Sequence, residues 1–172
     1  VAAARMAQWR NRCVSDGYEP GSTFKLITLA SALDSGAVTL NDSFYCGGQE
    51  KFAGREQILN CWKSVGHGAQ STAQALGNSC NIAFGHIGLR MGGDTFYDYL
   101  KAFGIMEKTG VDLPGEASGL FYERKYLSDP ASYGTSYLIT SSFGQSFRIT
   151  PMQLVRSVAA IVNGGYVLEP YI

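Results

Sequence analysis

Two short segments hold the residues best suited to chemistry. In Tyr18-Glu-Pro-Gly-Ser22-Thr-Phe-Lys25, a serine and a lysine stand three apart at the opening of an apolar stretch. If that stretch is helical, Ser22 and Lys25 share one face about a turn apart. A helix start presents free N–H groups and a dipole that favour negative charge, as the oxyanion of acyl transfer requires. Burying the helix disfavours the ammonium form of Lys25, leaving an amine able to take the proton of Ser22. The second segment, Ser79-Cys80-Asn81, lies between two helical patterns. Its hydroxyl and amide, presented on a turn, suit proton relay and the holding of a substrate amide. Each segment alone is weak: Ser-x-x-Lys occurs by chance, often as a helix-capping serine beside a solvated lysine, and Ser-x-Asn is a common loop tripeptide.

The elements that must position these groups read as mostly helical. Residues 1–21 read as an irregular lead-in closing on Glu19-Pro20-Gly21. A buried helix is predicted from Ser22 to Asp34, ended by Gly36. Residues 37–70, broken by Gly and polar residues, predict loops and a small hairpin. Further helices are expected over Ser71–Leu76 with a Ser cap, Cys80–Met91, and Asp94–Phe103 capped by Asp94 and stopped by Gly104. Residues 107–149 read mostly as loop. Thr150-Pro151 then opens a last helix, with Gly164 past its end.

The 172 residues suffice for one domain with a real core. Lys+Arg and Asp+Glu number 14 each, so the zero net charge supplies no basic field for nucleic acid. No apolar run approaches the roughly 20 residues of a membrane helix, and no signal peptide opens the chain. Its abrupt ends read as those of a piece excised from something longer. Cys13, Cys46, Cys61 and Cys80 are too scattered for a disulfide scaffold. Cys46 and Cys61 flank a Gly-rich segment that would bring them close, as buried thiols or as a disulfide. With no Cys-x-x-Cys or His-x-x-x-His spacing, no metal site and no cofactor are expected.

Ser-x-x-Lys followed by Ser-x-Asn forms two of the three signatures of penicillin-binding proteins and class A β-lactamases. The surrounding text is more specific. Asn11-Arg12 with Tyr18–Lys25 closely resembles the nucleophile segment of class B penicillin-binding proteins. Cys61-Trp-Lys, Gly66-His-Gly68 and Ala75–Phe84 resemble their second-motif region. Glu107–Glu116, Ser142-Phe-Gly-Gln145 and Ile149–Leu154 continue the match in family order. The resemblance implies an α+β fold of the β-lactamase/transpeptidase type. In this chain, residues 1–172 would be a partial transpeptidase domain, mainly α, with the antiparallel sheet largely missing.

The resemblance also implies roles. Ser22 would be the acyl-accepting nucleophile and Lys25 its base, Ser79 a proton relay to the leaving amine, and Ser79 and Asn81 substrate-binding groups. The implied reaction is D,D-transpeptidation of D-alanyl-D-alanine stem peptides of peptidoglycan, with β-lactams acylating Ser22. The implied setting is the outer face of the bacterial cytoplasmic membrane. There a parent protein anchored by an N-terminal segment would work with a glycosyltransferase and with divisome or elongasome proteins. The third signature, a Lys-Ser/Thr-Gly strand, follows the Thr-Pro-x-Gln-Leu helix in the family and would lie beyond Ile172. Lys108-Thr109-Gly110 has its letters but sits in what resembles a family loop. Glu116 lacks the Glu-x-x-Leu-Asn setting of a deacylating glutamate and reads as a loop carboxylate. His67 reads as a structural loop histidine, and His86 as packed or exposed without a role. The alternatives are a β-lactamase-like enzyme, a β-lactam-binding sensor, or a helical fragment inactive in isolation.

Overall fold

Two helices buried almost all round form the centre of the molecule, because both carry apolar residues on every face. The computed structural model describes residues 8–129 and 134–172. Positions 1–7 of the expected lead-in and 130–133 of the expected loop lie outside them.

After a short helix α1 (Arg12–Ser15), capped by the side chain of Asn11, the chain enters a 3-10 turn over Gly21–Phe24. The turn runs directly into α2 (Lys25–Asp34), which buries Lys25, Ile27, Thr28, Leu29, Ser31 and Ala32. The expected hairpin region forms two small antiparallel ribbons. Strand β1 (Ser43–Cys46) pairs with β4 (Gly68–Ser71), and β2 (Gln49–Glu50) pairs with β3 (Leu59–Asn60). Cys46 and Cys61 do approach each other here, both buried and both free thiols.

Helix α3 (Thr72–Gly77) starts at Ser71, whose hydroxyl and Gln74 form a reciprocal capping box. The second central helix, α4 (Asn81–Met91), follows at once and buries Ile82, Ala83, Phe84, Gly85, Ile87, Gly88 and Met91. Helix α5 (Gly93–Ala102) corrects the expected cap. Gly92 precedes it at φ 75°, and Asp94 lies in the first turn, accepting hydrogen bonds from Ser128 Oγ and Arg124. A glycine is required at 93 because a Cβ there would sit 2.2 Å from the Leu127 carbonyl oxygen. Gly104 ends this helix at φ 67°, as expected.

The stretch expected to be mostly loop instead holds α6 (Arg124–Ser128) and α7 (Gly134–Ser142). Helix α7 is rich in Ser, Thr and Gly, so propensity does not signal it. Packing stabilises it: a Cβ on Gly88 would lie 2.7 Å from Ser142 Cβ, and Ser142 Oγ donates to the Phe84 carbonyl at 2.8 Å. Helix α8 (Pro151–Val162) has the expected Thr150 cap and proline at its first position. Its Gln153 is fully buried and donates to the carbonyls of Ile105 and Glu107, tying α8 to the chain after α5.

Phe24, Ile27, Phe84, Ile87, Ile139 and Phe147 sit in one continuous core beneath the Ser22 turn.

Candidate active site

Ser22 lies in the 3-10 turn rather than in the α-helix proper. At three residues per turn, positions i and i+3 fall in line, so Lys25 stands directly under Ser22. Ser22 is exposed to solvent, while Lys25 is 1% exposed. The Lys25 amine lies 3.1 Å from Ser22 Oγ, 2.9 Å from Ser79 Oγ, 2.8 Å from the Ser79 carbonyl and 2.8 Å from Asn81 Oδ1. Ser79 Oγ in turn donates to Ser22 Oγ at 2.9 Å. The four residues singled out in the sequence therefore form one connected cluster. Burial lowers the Lys25 pKa from 10.5 to about 8, partly opposed by the neighbouring Cys61 and Cys80. A substantial neutral fraction near neutral pH makes this amine a competent proton acceptor.

Backbone geometry brings Ser79 there. The amide of Ser79 donates to Leu76 O and that of Cys80 to Ala75 O, the two bonds of a Schellman closure of α3. The residue just past the cap takes a left-handed conformation in such a closure, and glycine is the usual occupant. Here it is Ser79, at φ 50°. A side chain held in that region is strained by roughly 1–2 kcal/mol, and the strained position presents the hydroxyl to Ser22 and Lys25. Trp62 Nε1 steadies the same turn by donating to the Asn78 carbonyl at 2.9 Å.

Ser142-Phe-Gly-Gln145 resembles family text, but its residue types disclose no role. In the structure this segment buttresses the nucleophile turn: Gly21 N donates to Gly144 O at 2.8 Å, and Glu19 accepts from Ser146 N at 2.9 Å. Gly144 has φ 84°, and a Cβ on it would lie 2.1 Å from the Gly21 carbonyl oxygen. Gly144→Ala is therefore expected to cost roughly 2–5 kcal/mol, adding overpacking to left-handed strain. Gly36→Ala, at φ 72° with nothing within 4 Å of the added carbon, is expected to cost only about 1–2 kcal/mol. Equilibrium unfolding of the two variants compares them directly, and equal losses would refute the role of contact at Gly144.

Lys108-Thr109-Gly110 is occupied elsewhere. Thr109 N and Oγ1 and Gly110 N all donate to the Glu116 carboxylate, and Arg156 donates to the Lys108 and Thr109 carbonyls. Glu116 thus anchors a loop, as its sequence setting suggested. His86 pairs with Glu50 at 2.8 Å and packs on Phe52. His67 lies beside Cys61 and Trp62, away from the Ser22–Lys25 cluster's hydrogen bonds.

A family model described as the penicillin binding protein transpeptidase domain matches residues 2–172. Stage V sporulation protein D of Bacillus subtilis is 43% identical over 95% of this chain and 24% of its own length. The peptidoglycan D,D-transpeptidase MrdA of Acinetobacter baumannii is 32% identical over 94% of this chain and 25% of its own length. The chain thus spans about a quarter of these curated relatives. Among solved structures, Pseudomonas aeruginosa PBP2 superposes with a TM-score of 0.85 at 25% identity, covering 99% of this chain and 39% of that one. Helicobacter pylori PBP2, solved in complex with MreC, gives a TM-score of 0.79 at 26% identity, covering 94% of this chain and 31% of that one. Matched along almost its whole length, the chain belongs to the penicillin-binding protein transpeptidase family.

Proposed function

We propose that the protein carrying these residues is a serine D,D-transpeptidase that cross-links peptidoglycan through an acyl-enzyme on Ser22. One observation carries the reading: a single buried amine, Lys25, meets Ser22 Oγ, Ser79 Oγ and Asn81 Oδ1 together. Ser22 Oγ attacks the carbonyl between the two D-alanines while its proton passes to Lys25. Ser79 delivers a proton to the departing D-alanine nitrogen as the C–N bond breaks and takes back the one held by Lys25, leaving an ester on Ser22 and a neutral amine. The amine of a second stem peptide then attacks that ester, forming the cross-link and restoring the Ser22 hydroxyl. Asn81 orients the substrate amide. Splitting the exchange in two avoids one harder concerted step. β-Lactams, as mimics of the dipeptide, acylate the same oxygen.

Lys25 must be neutral to accept a proton, so acylation is expected to rise with pH and level off above about 8. A flat profile between pH 6 and 9 would contradict its role.

Residues 1–172 then form the helical part of a larger transpeptidase domain. Val155, Val162 and Leu168 are exposed around and beyond α8, an apolar face of the kind that a sheet covers. No helix among the described residues is long and apolar enough to cross a membrane. The working place under this reading is the outer face of the cytoplasmic membrane, with an anchor, a glycan polymerase and scaffold proteins supplied from outside these residues. The MreC complex of the Helicobacter pylori relative supports partners of that kind. Hydrolysis of the acyl-enzyme is slow on this account, because Glu116 is engaged by Thr109 and Gly110.

The test is release of D-alanine from a D-alanyl-D-alanine stem peptide by the full-length protein. Release that needs Ser22 supports the reading, and release undiminished in Ser22→Ala would overturn it.

A further inference from the structure

Among the described residues, Ser79 and Ser146 are the only non-glycine residues at positive φ, 50° and 70°. Both are serines, and both lie on segments bonded to the residues around Ser22. Ser79 meets Ser22 and Lys25 from the start of α4. Ser146 lies on the segment that buttresses residues 19–21. Its amide donates to Glu19 Oε1 at 2.9 Å, Gly21 N donates to Gly144 O at 2.8 Å, and Tyr18 and Ile149 exchange both backbone hydrogen bonds at 3.0 Å. Residues 144–149 thus run antiparallel beside 18–21 and form a second edge next to Ser22.

A left-handed serine is strained and persists only where its surroundings hold it. Glu19 holds Ser146 on the amide side. On the other side, Phe147 is buried against Phe24 and Phe121, with ring centroids 4.7 and 4.6 Å away. These contacts fix the backbone and make no use of the Ser146 side chain, so they would hold a glycine equally well and without strain. A serine in a turn often turns its hydroxyl onto nearby backbone. Ser146 Oγ has no such partner among the described residues. The residue is half-buried, with the exposed Gln145 beside it. Its hydroxyl is therefore held in a fixed place with its hydrogen-bonding capacity unused.

Under the transpeptidase reading, on which this inference rests, the leaving D-alanine nitrogen lies at Ser79, from which it takes a proton. The acyl chain of the donor leaves the Ser22 carbonyl in another direction, and residues 144–146 are a second segment bonded to the Ser22 turn. Glu19, which holds Ser146, stands three Cα steps from Ser22, at most about 11 Å, a distance an extended peptide spans in about three residues. We propose that Ser146 is a specificity-determining residue, its hydroxyl hydrogen-bonding the backbone of the donor stem peptide upstream of the D-alanyl-D-alanine. A hydroxyl can donate to a peptide carbonyl or accept from a peptide N–H, so it reads backbone. The contact binds and adds no step to the chemistry: no bond or proton moves at Ser146.

The experiment measures D-alanine release by the full-length protein from two donors: a stem pentapeptide, and acetyl-D-alanyl-D-alanine, which lacks the upstream residues. In both Ser146→Ala and Ser146→Gly, the ratio of kcat/KM for the pentapeptide to that for the short donor is expected to fall about three- to tenfold. That is the worth of one hydrogen bond, and the loss is expected in KM. Stability separates the two variants. Alanine keeps the strained backbone and removes only the hydroxyl, so its melting temperature is expected to match the parent within about a degree. Glycine relieves the strain and is expected to melt a few degrees higher. Discrimination kept in Ser146→Ala would overturn the proposal even if the glycine variant lost it, because the effect would then belong to the backbone. A Ser146→Gly variant that melts below the parent would also overturn it, since the serine would then serve stability. Acylation by benzylpenicillin tells the two levels apart. An acylated parent whose variants discriminate unchanged removes only the role of Ser146. A parent neither acylated nor releasing D-alanine removes the transpeptidase reading, and this inference with it.

Discussion

Replacing Lys25 by methionine is expected to slow acylation of Ser22 by about 10²–10⁴-fold, the usual worth of a positioned general base. The side chain is buried beneath Ser22 and reaches no solvent that could take over its proton. Methionine keeps the length and apolar stem while removing the amine that touches Ser22, Ser79 and Asn81. The melting temperature is expected to stay within a few degrees of the parent. Lost hydrogen bonds are offset by removing a cation whose burial is unfavourable, as its lowered pKa records. The sign can be followed in stability against pH. The unfolded lysine holds its proton up to about 10.5 and the folded one only to about 8, so its cost is fully present below pH 8 and fades as pH rises. The variant therefore compares best with the parent at acidic pH. Second-order acylation rates with benzylpenicillin, measured beside thermal unfolding at two pH values, check both halves. Acylation within tenfold of the parent would remove Lys25 from the mechanism.

Ser79→Gly is expected to move stability and activity in opposite directions. Glycine fits the left-handed closing position of α3, so the substitution relieves roughly 1–2 kcal/mol of strain. It also deletes the hydroxyl that bridges Lys25 and Ser22, and turnover is expected to fall about 10²–10⁴-fold. A strained residue retained where glycine would be more stable is the mark of a position kept for its side chain. Chemical denaturation with a stem-peptide assay on the same preparation separates the two effects. A glycine variant that is both less stable and fully active would contradict the account.

Local signals in the sequence located the parts of the fold that depend on local chemistry. Ser71 and Thr150 cap their helices as their letters suggest, and Gly104 stops α5. Ser22, Lys25, Ser79 and Asn81 were legible as a site only as a set, through resemblance; spacing alone connects Ser22 to Lys25 and no further. What escaped depends on contacts between distant segments. Helix α7 is made by Gly88 and Ser142 meeting, not by helix-forming residues. Asp94 failed as a cap because close approach to Leu127 demands Gly93 at the helix start. Gly144 looked like one more loop glycine until its contact with Gly21 was visible. Cys46, Cys61, His67 and Cys80 converge from four separate segments, so no short pattern betrays them.

The central claim is that Ser22 is the nucleophile, and intact mass after incubation with benzylpenicillin tests it most directly. The full-length protein is expected to gain the mass of one penicilloyl group, located by peptide mapping on Ser22, and Ser22→Ala to gain none. An adduct that persists in Ser22→Ala, or an unaltered protein that takes up no penicillin, would contradict the account.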